Sequence, residues 1–176
     1  MNRVLTFSIR IIKVILLIGI VYSKTPDDRG YIVDVGDMAP DFAMEYTTGE
    51  RVNLSELRGR VVVLQFTASW CSVCRQEMPH LEKDVWQAFK NKGVVLIGID
   101  RDEPLETVIK FQKDMKTTYP LALDPGANIF QLFAAKEAGV TRNIVIDRDG
   151  KIVFLTRLFE KREYQEMIRV IEMVLI

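Results

Sequence analysis

Apolar residues follow two patterns along this chain: short, nearly continuous runs, and stretches in which they recur at every third or fourth position. Val61-Val62-Val63-Leu64-Gln65-Phe66 and Val94-Val95-Leu96-Ile97-Gly98-Ile99 are of the first kind. Such β-branched runs are expected of strands covered on both faces. Between them Met78, Leu81, Val85 and Phe89 recur at helical steps, predicting a helix that Pro79 bends and Lys92-Gly93 closes. Leu105, Val108, Ile109 and Met115 predict a second helix over Pro104 to Lys116 with those residues on one side. Tyr119 to Leu123 reads as a short strand, and Ile129, Leu132 and Phe133 mark another helix. Tyr164, Met167, Ile168, Ile171 and Leu175 share one face of a last helix.

Two hairpins complete the pattern. Phe42 to Tyr46 and Arg51 to Asn53 flank Thr47-Thr48-Gly49, and Asn143 to Asp147 and Lys151 to Thr156 flank Arg148-Asp149-Gly150. Strand–helix–strand order followed by a hairpin and a helix predicts an α/β sandwich with a mixed sheet.

The first residues follow a different rule. Arg3, Arg10 and Lys13 precede the apolar run Val14 to Val21, the order of an export signal. The run is short of the ~20 apolar residues a spanning helix needs. Tyr22 makes Val21-Tyr22-Ser23 a poor cleavage site, which favours an uncleaved anchor over a removed signal peptide for residues 1–23. Lys24 to Gly30, polar and broken by Pro26 and Gly30, reads as a linker, and residues 31–176 as one domain. The basic flank keeps the N-terminal side in the cytoplasm and sends the body across the membrane. This implies a cell-envelope location: the periplasmic side of the cytoplasmic membrane if anchored, the periplasm if cleaved.

The chain has 176 residues, 48% of them hydrophobic, ample for one core. Lysine and arginine total 24, as do aspartate and glutamate, but the first 24 residues hold four of the bases and no acid. The remainder is mildly acidic, which argues against nucleic acid as a partner.

Only two cysteines occur, Cys71 and Cys74, spaced Cys-x-x-Cys between the first apolar run and the first helix. The first turn of a helix has free N–H groups and a partial positive charge, and a thiol there ionises more easily. Cys71 falls at the helix entrance as the attacking sulfur, and Cys74 one turn inside as the resolving one. A structural zinc site needs about four ligands, while the chain offers two cysteines and the single histidine His80. Haem attachment needs a histidine after the second cysteine, where Arg75 stands. A purely structural disulfide across so short a loop would constrain the unfolded chain little. A redox dithiol is the reading that remains, and it needs neither cofactor nor metal. Glu77 shares a helical stripe with Cys74. Tucked beside the thiols it would have a raised pKa and would take the proton from Cys74 as that sulfur attacks.

Trp70-Cys71-x-x-Cys74-Arg75-x-Glu77-x-Pro79-x-Leu81 resembles the TlpA/ResA-like branch of the thioredoxin superfamily, the AhpC/TSA-redoxin-like proteins. So do Val35 to Phe42 as an opening signature, Gly49, Leu54 and Leu57 to Arg60 before the central strand, and Ile144 to Ile152 as a closing hairpin. The resemblance covers residues 35–175. It implies a thioredoxin-like three-layer α/β/α sandwich with a mixed central sheet, an N-terminal β-hairpin extension and a central helical insertion. It also implies a thiol-disulfide oxidoreductase, a disulfide reductase in the first instance, with disulfide-containing or dithiol envelope proteins as partners and a membrane electron donor. Glu77 matches that family's active-site glutamate. Val73 stands where the family often has proline.

Trp70 would shield the nucleophile and contact partners. Counting back from Ile146-Asp147 places Thr141 or a neighbour in the slot of the cis-proline that faces the dithiol in such proteins, with Thr141 expected to bind substrate. A cis bond before a non-proline costs ~2.5–4 kcal/mol, so the loop is expected to be trans or strained. Arg142 beside it is expected to face solvent. Two other functions stay open: a peroxiredoxin-like thiol peroxidase, although Ala68 stands where those enzymes keep a threonine and Thr67 is one step off, and a tethered thioredoxin-fold binding factor without redox turnover.

Overall fold

The structure, a computed structural model, describes residues 24–176; the anchor or signal expected over residues 1–23 lies outside the described residues. The first apolar run forms β3, Val61–Thr67, buried along its whole length. The second forms β4, Val94–Arg101, which pairs parallel with β3 from Val61 opposite Val94 to Thr67 opposite Asp100. β5, Leu121–Asp124, continues the parallel order beside β4. On the other side β6, Arg142–Ile146, runs antiparallel to β3, and β7, Ile152–Leu155, antiparallel to β6. The N-terminal hairpin, β1 (Ala43–Tyr46) and β2 (Arg51–Asn53), attaches to β5. The mixed sheet therefore runs β2-β1-β5-β4-β3-β6-β7, with β3 near its middle.

Three helices cover one face. α1 spans Ser72–His80 and continues through the wide turns of Leu81–Gln87. Pro79 has no N–H to donate to the carbonyl of Arg75 and crowds it, and the wide turns follow directly. α2 spans Leu105–Met115 and α3 Lys161–Leu175. Met78, Leu81, Val85 and Phe89 from α1 and its continuation, Val108 and Phe111 from α2, and Met167 and Ile171 from α3 pack against Val61, Val63, Leu96 and Val145. The opposite face is covered by Tyr31, Val33, Leu54, Phe130 and Phe133, which close over Val62, Leu64, Phe66 and Ile144.

Four expectations are corrected. Ile129 to Phe133 is no full helix, only a short 3-10 turn over Phe130–Leu132. Phe130 and Phe133 both drive into the core against Phe66, with ring centroids 5.3 and 5.6 Å away, and the Phe133 carbonyl is taken by the N–H of Ile32. On α2, Leu105 and Ile109 are exposed while Val108 and Phe111 are buried, so the face on the sheet is the one that Val108 and Phe111, three residues apart, share. The stretch predicted as a linker is bonded to the domain: Lys24 pairs with Asp34 and Asp37, and Arg29 Nη1 donates to the Leu155 carbonyl. Arg142 is buried rather than solvated. Its guanidinium lies 4.5 Å from the Tyr31 ring centroid and donates to the carbonyls of Gly139 and Arg29.

Gly98 on β4 is demanded by packing: a Cβ there would fall on Leu121 Cδ2 and come within 3.4 Å of Tyr119. Gly98→Ala is expected to cost about 1–3 kcal/mol, the range for overpacking a dense core, read from the midpoint of denaturant unfolding.

Candidate redox site

The turn leaving β3 delivers Cys71 to the mouth of α1. The Cys71 N–H donates to the carbonyl of Ala68, and Cys71, in extended conformation, is the residue that caps the helix. Its sulfur accepts from the Cys74 N–H at 3.1 Å, so the first turn closes on sulfur instead of on a serine or aspartate oxygen. The turn is pinned from two sides. The Glu103 carboxylate accepts from Ser69 N and Oγ at 2.5 and 2.6 Å, and Arg75 Nε donates to the Ser69 carbonyl at 2.7 Å. Cys71 and Cys74 are joined by a disulfide. The outer cysteine, Cys71, is 8% exposed and the inner one, Cys74, is sealed at 0%.

Thr141 closes the site from the loop before β6. Its hydroxyl lies 3.0 Å from Cys71 Sγ and 3.1 Å from Cys74 Sγ. Among the described residues no peptide bond is cis, and Thr141 has a φ of +53°, left-handed backbone that a β-branched residue rarely adopts. Its N–H donates to the Phe66 carbonyl at 3.0 Å and its own carbonyl accepts from the Leu158 N–H at 2.9 Å. Both main-chain groups of Thr141 are thus committed within the protein, and its contribution to the site is the side chain.

Two residues further along, Asn143 meets the helix one turn deeper. Asn143 Nδ2 donates to one oxygen of Glu77 at 2.7 Å, and Gln65 Nε2 donates to the other at 3.1 Å. Gln65 is itself held by the Tyr119 hydroxyl, which donates to Gln65 Oε1 at 2.9 Å. Cys74 with Thr141 and Glu77 with Asn143 therefore form successive contacts between α1 and the strand facing it. Glu77 is 1% exposed. Burial raises its pKa to about 7, against the two amide hydrogen bonds that favour the charged form. A second buried carboxyl, Asp100 at the end of β4, is pushed up to about 8 by burial and by the neighbouring Glu103.

Trp70 stands at the rim with its side chain out, 65% exposed. His80 lies beyond the site against Phe159, ring centroids 5.0 Å apart. Ala68 is buried, and Thr67 turns its hydroxyl to Met78 Sδ rather than to a cysteine; the hydroxyl at the sulfurs belongs to Thr141. Among the described residues no group of three or more His, Cys, Asp and Glu side chains could hold a metal ion. The sequence reading missed Gln65, Asn143, Tyr119 and Glu103. One signal was available: Gln65 interrupts an otherwise apolar buried strand, and such an amide needs a buried partner.

A thioredoxin fold with a Cys-x-x-Cys disulfide at the mouth of the first long helix defines a thiol-disulfide oxidoreductase. The chain belongs to the AhpC/TSA family, whose model matches residues 35–155, and within the thioredoxin superfamily it is TlpA/ResA-like. It is 32% identical over 130 residues to a thiol-disulfide oxidoreductase ResA of Bacillus cereus, covering 71% of this chain and 73% of that one. Among solved structures it is similar to a candidate protein disulfide isomerase of Bacteroides thetaiotaomicron, with 58% identity, a TM-score of 0.81 and coverage of 83% and 92%. A candidate thiol:disulfide interchange protein DsbE of Chlorobium tepidum gives 31% identity, a TM-score of 0.73 and coverage of 81% and 99%.

Proposed function

We propose that this chain is a cell-envelope disulfide reductase that passes two electrons from Cys71 and Cys74 to disulfides of other envelope proteins. The observation that carries the proposal is the graded burial of the two sulfurs, Cys71 at the rim and Cys74 sealed, with a protonatable Glu77 one turn behind.

Cys71 is the nucleophile. Its thiolate attacks one sulfur of a substrate disulfide, a mixed disulfide forms, and the substrate's other sulfur leaves as a thiolate that takes a proton from water. Cys74 then gives its proton to the Glu77 carboxylate and attacks Cys71 Sγ. The Cys71–Cys74 bond closes as the mixed disulfide breaks, and the second substrate sulfur leaves as a thiolate that takes a proton from water. The protein ends oxidised by two electrons and the substrate reduced by two. A dithiol donor held in the membrane restores the starting state. Trp70, aromatic and exposed beside the nucleophile, is the first surface a docking protein meets.

The residues before Lys24 serve as the tether, in keeping with their basic flank and apolar run. Among the described residues no helix is long and apolar enough to cross a membrane.

The thiol state in intact cells tests the direction of electron flow. After acid quenching and alkylation, Cys71 and Cys74 are expected to be mostly reduced. A mostly oxidised pair would make the protein a disulfide donor and overturn the reductase reading.

A further inference from the structure

The Thr141 hydroxyl lies almost equally far from the two sulfurs, at 3.0 and 3.1 Å. The residue is buried, and among the described residues that side chain makes no other hydrogen bond. Its position is fixed by the main chain on both sides, through Phe66 and Leu158. The backbone is held in the left-handed region to achieve this, at φ +53°. Strain of this kind persists where the surroundings over-determine it. A proline in this slot would lack both the hydroxyl and the N–H that Phe66 receives.

We propose that Thr141 is a catalytic residue whose O–H donates to the Cys71 thiolate in the reduced protein and turns to Cys74 as that sulfur attacks. The reading rests on the dithiol function above and deepens it. A hydroxyl carries one proton and can serve one sulfur at a time. Its place between the two lets the same donor follow the negative charge. The charge begins on Cys71, passes to substrate, and develops again on Cys74 as Glu77 takes its proton. Together with the Cys74 N–H, which already points at Cys71 Sγ at 3.1 Å, the thiolate would receive two donors, one from the helix mouth and one from the loop.

The test is the pH dependence of iodoacetamide alkylation at Cys71 in the reduced full-length protein, with the modified cysteine located by peptide fragmentation. Thr141→Val keeps the shape and the β-branch, so it keeps the strained backbone and loses only the hydroxyl. Its Cys71 pKa is expected to rise by about one unit or more, since a hydrogen bond to a charged group is worth roughly that shift. Alkylation at a pH below both values then slows about tenfold. Thr141→Ser restores the donor and is expected to return the pKa to within about a few tenths of a unit of the parent value. Thr141→Gly relaxes the backbone without restoring the donor, so its Cys71 pKa should behave like that of the valine variant. An unmoved Cys71 pKa in the valine variant would overturn the proposal and leave the dithiol function standing. Recovery by glycine as full as by serine would also overturn it, by making backbone strain the cause. An ordinary thiol pKa for Cys71 in the parent protein would instead count against the dithiol function itself.

Discussion

Cys74→Ala is expected to hold substrate proteins in stable mixed disulfides through Cys71, while Cys71→Ala holds none. The cause is the difference in access. Cys71 caps α1 at the rim and Cys74 is sealed behind it, so an incoming disulfide meets only the first sulfur. With Cys74 removed, attack still proceeds but no second thiol returns to break the bond. With Cys71 removed, the remaining sulfur is covered and attack stops. Turnover of a model protein disulfide should fall to the uncatalysed level in both variants, and only the trapping separates them. Non-reducing electrophoresis of each variant after exposure to oxidised protein, followed by release with dithiothreitol, reads the outcome. Equal trapping by both variants would contradict the division of roles.

Glu77→Gln is expected to slow closure of the mixed disulfide by about 10²–10⁴-fold, the span of general-base contributions. In the parent protein the closure rate should rise with pH through about 7, where Glu77 changes from acid to base, and then level off. The glutamine variant should lose that step. Stability moves the other way. The folded protein keeps the Glu77 proton up to about 7, whereas the unfolded chain releases it near the ordinary glutamate value. Native Glu77 therefore binds more protons than unfolded Glu77 between those two points, and stability falls as pH rises through that window. Glutamine removes the fall, so the variant's stability should lose this dependence on pH, while the parent loses a few kcal/mol at most between pH 5 and pH 8. Slower closure together with the lost pH dependence of stability distinguishes a proton acceptor from a packing residue. Stopped-flow closure of a preformed mixed disulfide and urea unfolding at pH 5 and pH 8 supply the two readings.

Much of this was legible in the residues. Nearly continuous apolar runs bury side chains on both faces only inside a sheet covered on both sides, and both Val61–Thr67 and Val94–Arg101 lie there. The two cysteines at the end of the first run marked the site, because a strand leading into an amphipathic helix leaves them at its N-terminus. What the sequence could not show depends on partners far along the chain. Arg142 reads as a surface cation until Tyr31 and the carbonyl of Arg29 arrive from more than a hundred residues away. Glu77 reads as a surface charge as easily as a base until Gln65 and Asn143 close around it. Ile129 to Phe133 has helical spacing, yet two phenylalanines gain more by burying against Phe66 than a further helical turn would give. Thr141 was placed from a family resemblance as a substrate contact; the commitment of its main chain to Phe66 and Leu158, and of its hydroxyl to both sulfurs, belongs to three-dimensional structure alone.

The reversible closing of one bond between Cys71 and Cys74 is tested most directly by equilibrating the purified protein in a series of thiol–disulfide buffers, quenching with acid, alkylating and weighing the products. The two thiols are expected to appear and vanish together, as a single two-electron couple with a slope of about 30 mV per tenfold change in ratio. Thiols that titrate independently, or a disulfide that never re-forms after reduction, would contradict it.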